Sequence, residues 1–286
     1  LSAQARAPAS NASFGKLYVA YKKSRAQPER MQDLEESTAR IARGSAYLLI
    51  GNVGSNLVAL VAFMVITRII TRYEMGLAAY VLLTTSLGRV LCDVGLSTSL
   101  IKFVSEARGR GENYGPYVLA SLMGKLLMMG SYTSALASVA LAFSILPQEL
   151  APPGLLFCIT ILIIITMGLF TWLISILISI EAMSGVCASY IISASLGHGA
   201  AVMLVLLGWG VVGYPRGWLL SNITGVLVAC AFLTLKSEFK HVLGLEARVV
   251  FDKLKLLLSF SWPILITDLA NYLFSRFDAF AVAATG

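Results

Sequence analysis

From Gly44 onward the chain is a succession of apolar blocks, each about 20 residues long, broken by short polar turns. A helix rising about 1.5 Å per residue needs about 20 apolar residues to cross a hydrocarbon core roughly 30 Å thick. The blocks therefore predict spans at Gly44–Arg68, Gly76–Asp93, Tyr117–Leu146, Leu155–Ile180, Ser189–Val212 and Trp218–Leu235, with a further one from Leu257 to Gly286. Helix follows from length and pattern, because a barrel strand needs only about 9–11 alternating residues. The run Ile161–Leu169 (ILIIITMGL) does not alternate. The expected fold class is all-α, a polytopic transmembrane bundle of about six or seven spans. With 57% hydrophobic and 13% charged residues, against about 25% charged in a soluble domain, a soluble enzyme is excluded.

Loop charge predicts the orientation. Arg6, Lys16, Lys22, Lys23, Arg25, Arg30, Arg40 and Arg43 precede the first span, Lys102, Arg108 and Arg110 follow the second, and Lys236, Lys240, Arg248, Lys253 and Lys255 lie before the last. The opposite loops hold Arg68, Arg72 and Arg216. The positive-inside rule then puts the amino terminus in the cytoplasm of a multi-pass cell-membrane protein. The net charge of +7 is this loop excess, and nucleic acid is not needed as a partner to explain it. Residues 1–43 lack the apolar core of a signal peptide. They are expected as a cytoplasmic tail in which Met31–Arg43 forms a short amphipathic surface helix. The chain starts at Leu1 and stops inside an apolar block, which predicts either a fragment or an upstream extension ahead of a true start at Met31.

The four cysteines, Cys92, Cys158, Cys187 and Cys230, sit in or beside apolar blocks without a CxxC pair. Neither a disulfide framework nor a zinc site is expected. His198 and His241 are far apart in sequence, so metal catalysis lacks ligands, and no cofactor is expected.

Gly44–Leu100 reads GSAYLLIGNVGSNLVALVAFMVITRIITRYEMGLAAYVLLTTSLGRVLCDVGLSTSL. An apolar span, a short Arg-containing turn, a Tyr-x-x-Gly entry and then Asp93-Val94-Gly95-Leu96 resemble the opening of the polysaccharide-exporter flippases. These are the Wzx-like lipid-linked oligosaccharide flippases of the MATE-like multidrug/oligosaccharidyl-lipid/polysaccharide superfamily. Leu256–Gly286, with Pro263, Arg276 and Asp278, is similar to the helix that opens the second lobe of that family. The resemblance implies two lobes related by an axis along the membrane normal, as in parallel repeats. Residues 44–235 would be the first lobe of about six helices, 236–256 a cytoplasmic basic linker, and 257–286 the first helix of a truncated second lobe.

Charges inside the spans are the candidate pathway residues, because an ionisable group there costs several kcal/mol unless it meets a partner or water. They are Arg89, Asp93, Lys125, Asp268, Arg276 and Asp278. Arg89 and Asp93 are spaced i,i+4 and can pair, while Asp268, Tyr272 and Arg276 share a stripe. Each also has a plainer reading. Arg89 and Lys125 can snorkel to the headgroups, Asp93 can be a structural pair or helix end, and Arg276 and Asp278 can be interfacial anchors. Packing is the expected role of His198, within a small-residue run where Ser193, Gly197 and Ala201 suit close helix approach. Asn52, Ser55 and Asn56 are expected to bond between helices, and Trp209, Tyr214 and Trp218 to form an outer aromatic belt. The sequon at Asn222 lies inside a span and is unreachable.

What the resemblance implies is a flippase moving a polyprenyl- or dolichyl-pyrophosphate-linked oligosaccharide from the cytoplasmic to the outer leaflet, in cell-surface polysaccharide biosynthesis. Its partners would be that lipid-linked oligosaccharide, membrane lipids, and a glycan polymerase with glycosyltransferases. No bond changes in such a step, so no catalytic residue is expected. A cation-coupled multidrug exporter is the alternative, although Gly44–Arg68 offers no buried carboxylate. A membrane glycosyl polymerase or ligase ranks behind both, since the outer connections Pro147–Gly154 and Gly213–Gly217 are short and nearly uncharged.

Overall fold

A computed structural model describes residues 11–143, 154–236 and 247–275. Among them every regular element is helical. The helices are α1 (Asn11–Ile66), α2 (Arg72–Asp93), α3 (Leu96–Gly109), α4 (Gly115–Phe143), α5 (Gly154–Ser179), α6 (Met183–Leu204), α7 (Gly213–Leu235) and α8 (Ala247–Ser275). Among the described residues four stretches are long and apolar enough to cross a membrane: Thr38–Ile66, Arg72–Gly109, Gly154–Ser179 and Met183–Leu235. The second holds α2 with α3 and the last holds α6 with α7. This is the all-α polytopic bundle that the apolar blocks predict.

The chain divides between Ala46 and Tyr47 into two units. Where a short surface helix is expected at Met31–Arg43, the helix runs unbroken from Asn11 to Ile66, 56 residues. An exposed Glu36–Arg40 pair at 3.3 Å lies along it. Such a pair adds only a few tenths of a kcal/mol, about 0.3–0.5, to a helix.

Within the second unit, Leu49, Ile50, Val53, Leu57, Leu60 and Val61 of α1 stay exposed. A face so apolar is stable against lipid tails and would be an aggregation hazard in water. The helix meets α6 through Gly51, where an added Cβ would stand 3.0 Å from the Cα of Cys187.

Thr71 and Glu74 start α2 with a reciprocal capping box, which satisfies two backbone donors that the first turn leaves open. The helix stops at Val94, whose φ of 47° is left-handed, and Gly95 follows at 74°. A β-branched residue there is a strained outlier. Glycine is required at 95 for a second reason, since a Cβ would lie 2.9 Å from the Ser261 carbonyl of α8. Beyond this corner α3 buries Leu96, Leu100, Val104 and Ala107 at helical spacing. The sequence reading passes over α3, because Lys102, Arg108 and Arg110 read there as loop charge; each lies on or just after a helix whose other face is core.

Helices α6 and α7 form an antiparallel hairpin, with Gly185 against Phe232, Gly197 against Ser221 and Gly217 against Ala201. A short π turn, Val205–Trp209, and a 3-10 turn, Gly210–Val212, join them. Lipid tails are as apolar as leucine, so close approach by small residues and interhelical hydrogen bonds must hold the helices together. Ser221 donates to the Ser193 carbonyl at 2.9 Å, Trp172 to Ser121 at 3.0 Å, and Ser261 to Ser99 at 3.0 Å. The central core joins α3, α5, α7 and α8 through Leu100, Leu177, Leu233 and Leu257.

Candidate functional site

The α2–α3 corner forms one wall of a cavity of about 560 Å³ that α5, α6 and α8 also line. Arg89 and Asp93 come from α2, Ser97 from α3, Ser175 from α5, Tyr190 from α6, and Asp268, Asn271 and Tyr272 from α8. Their helical spacing explains the shared wall: Arg89 and Asp93 are one turn apart on α2, as are Asp268 and Tyr272 on α8.

Asp93 is the hub of the polar side. Its Oδ1 accepts from Lys125 Nζ at 2.6 Å and from the Ser97 hydroxyl at 2.5 Å. Its Oδ2 accepts from the Ser97 backbone N–H at 3.3 Å, so the carboxylate also caps the first turn of α3, where negative charge is favoured. The i,i+4 partner available to Asp93 on its own helix, Arg89, is passed over for a lysine on α4.

Lys125 is 2% exposed and lies behind the cavity wall. Its ammonium donates to Asp93, to the Ser97 hydroxyl at 3.1 Å and to the Thr171 hydroxyl at 2.8 Å. All three donors are thus engaged, which is what a buried ammonium requires. Snorkelling does not describe this side chain, because it reaches inward to three oxygens. Neither does direct lining of the cavity.

Arg89 is different. Its side chain is exposed on the cavity wall, and among the described residues no hydrogen bond or ion pair holds the guanidinium. Across the cavity stand the half-buried Asp268 and the amide of Asn271. Tyr272 donates to the Leu83 carbonyl at 3.4 Å, tying α8 to α2. Arg276 and Asp278 lie outside the described residues.

Other candidates fall elsewhere. Asn52 donates to the Leu48 carbonyl and Ser55 to the Asn52 carbonyl, each at 3.0 Å within α1, so these two do not make the interhelical bonds expected of them. Tyr214 is core, buried with Ile66, Ala78 and Val205, which removes it from the expected aromatic belt. Trp209 remains exposed, with the Arg216 guanidinium 4.3 Å from its ring centre, a cation–π contact. Trp218 packs beside Val81 and Ile163. Asn222 is buried and donates to the Trp218 carbonyl. His198 lies on α6 away from the cavity wall. Among the described residues no cluster of three His, Cys, Asp or Glu side chains is placed to hold a metal ion.

Arg89, Asp93, Lys125 and Asp268 were readable as charges in apolar blocks. Ser97, Ser175, Tyr190 and Asn271 were not, because a serine or asparagine in a span carries no signal until the bundle assigns it a face. A model of the family described as polysaccharide biosynthesis protein matches residues 41–285, a range that takes in every wall of the cavity. No curated protein and no solved structure matches the chain.

Proposed function

Because the chain belongs to the polysaccharide biosynthesis protein family, that of the Wzx-like flippases, we propose that it moves a pyrophosphate-linked oligosaccharide across the membrane. The cargo would be carried on a polyprenyl or dolichyl lipid and pass from the cytoplasmic to the outer leaflet of the cell membrane. Pyrophosphate and glycan cannot cross hydrocarbon alone, since stripping water from charged and polar groups costs several kcal/mol each, roughly 2–7 for a neutral polar group.

The observation that carries this reading is Arg89, a guanidinium on a polar cavity wall inside an apolar bundle. Arginine binds phosphate through two parallel N–H bonds. Serine, asparagine and tyrosine side chains on the same walls can stand in for the water around sugar hydroxyls. Transport alone makes or breaks no bond, so these groups bind and hydrate. The glycan polymerase and the glycosyltransferases of the same biosynthesis would act before and after the step.

In the full-length protein, Arg89→Ala should cut translocation of the pyrophosphate-linked oligosaccharide, which then accumulates on the cytoplasmic leaflet at normal protein levels. Arg89→Lys should retain more activity than Arg89→Gln. Parental transport by Arg89→Gln would mean that the cavity does not use a cation. Orientation has its own test: in a cysteine-free background, a thiol probe should reach Lys236→Cys from the cytoplasm and Arg68→Cys from outside.

A second reading rests on Asp268, a carboxylate exposed to the same cavity. Such a group can exchange a proton or sodium ion, as a cation-coupled drug exporter requires. Under that reading Asp268→Asn abolishes efflux of a lipophilic cation while sugar-lipid transport is absent from the parent.

A further inference from the structure

Arg89 and Asp93 stand one helical turn apart on α2 and line the same cavity. Opposite charges at this spacing attract. Left to themselves the two would neutralise each other. A guanidinium already held by a carboxylate has lost most of its attraction for a phosphate.

In the structure Asp93 is engaged by other partners. Its Oδ1 is taken by Lys125 at 2.6 Å and by the Ser97 hydroxyl, and its Oδ2 by the Ser97 N–H. The lysine comes from α4, 32 positions along the chain, and is itself steadied by Thr171 of α5. Its side chain is 3% exposed, against 20% for that of Asp93. The carboxylate faces both ways, toward the buried lysine and toward the cavity, as do the Ser97 and Thr171 hydroxyls.

We infer that Lys125 is a positioning residue: by capturing Asp93, it keeps the Arg89 guanidinium available to an anion in the cavity without touching that anion itself. By cancelling the Asp93 charge, Lys125 leaves the Arg89 charge uncompensated one helical turn away. Asp268 lines the same cavity, and among the described residues it forms no ion pair with Arg89, so it too leaves the guanidinium unclaimed. This inference rests on the reading of Arg89 as the cavity cation.

The test is binding of geranyl pyrophosphate to the full-length protein in liposomes, with membrane level and thermal midpoint recorded for each variant. Arg89→Gln should lower affinity by roughly tenfold, the equivalent of one phosphate contact worth about 1.4 kcal/mol. Lys125→Met should lower it by a similar factor although no contact to the anion is lost. Adding Asp93→Asn to Lys125→Met should restore affinity to within about threefold of the parent, whereas adding it to Arg89→Gln should restore nothing. Lys125→Met in an Arg89→Gln background should produce no further loss, and a lysine that merely holds the fold together would produce one. Lys125→Arg, which keeps the cation, should bind like the parent.

Parental affinity in Lys125→Met would overturn the inference, and so would a loss that Asp93→Asn fails to reverse. Parental affinity in Arg89→Gln would instead overturn the reading of Arg89. If Lys125→Met does not reach the membrane, Lys125→Gln carries the same expectation, since it keeps a polar group at the buried position without neutralising the carboxylate.

Discussion

The α6–α7 hairpin and the α2–α3 corner are built from the same stock of small and hydroxyl residues, and they use it in opposite ways. In the hairpin, Gly197 and Gly217 bring two backbones together until no side chain fits between them. At the corner, Val94 and Gly95 turn the chain in left-handed geometry and hold α2 and α3 beside an open space of about 560 Å³. The hairpin interface carries no charge and gains from dispersion and a serine–carbonyl bond. The corner carries a buried ion pair, whose desolvation costs several kcal/mol before its Coulomb attraction is counted. Closeness holds this bundle together, and the place where closeness is given up is where polar groups gather.

The largest effect should come from the corner. Asp93→Ala leaves Lys125 buried without its counter-ion, which costs about 3–5 kcal/mol. The thermal midpoint in detergent should fall steeply, and Asp93→Ala/Lys125→Met should recover most of the loss. Equal midpoints for the single and double variants would show that Lys125 left without its counter-ion costs nothing and that the two regions differ less than their chemistry implies.

Next comes the hairpin. Gly217→Val places a branched side chain against the Ala201 backbone, and overpacking of this kind costs about 1–3 kcal/mol. Stability should drop while geranyl pyrophosphate binding by the folded fraction is preserved, because no hairpin residue but Tyr190 lines the cavity. Loss of binding by folded Gly217→Val would erase the division of labour between the two regions.

The smallest effect belongs to the seam joining α3 to α8. Ser261→Ala removes the buried hydroxyl that bonds Ser99 at 3.0 Å. Interhelical hydrogen bonds in membranes average about 0.6 kcal/mol. A shift of the thermal midpoint near the limit of detection is expected, and a large one would place the seam with the corner as a site of stored energy.

Much of the bundle was legible because the requirement is local. A block of apolar residues long enough for hydrocarbon must satisfy its own backbone, and a helix does so without help from elsewhere in the chain. The packing run around Gly197 was legible for the same reason, as small residues at four-residue spacing fall on one helical face. Helix α3 was not. Its apolar positions do repeat at helical spacing, yet Lys102 and Arg108 on its other face made it read as a charged loop. Tyr214 misled in a similar way: a tyrosine beside a Gly-Tyr-Pro turn looks interfacial, and only the approach of α1 and α2 puts it in a core.

Sequence by itself determined that this protein is an all-helical, multi-pass bundle and marked which ionisable residues had to find partners, because hydrocarbon penalises charge wherever the chain goes. Tertiary structure decided which of them found one. Arg89 and Asp93 are neighbours in the helix and any local argument pairs them. Burial of Lys125 against α2 reverses that choice, since an ammonium removed from water needs three acceptors and a counter-charge, and Asp93, Ser97 and Thr171 meet only where α2, α3, α4 and α5 converge.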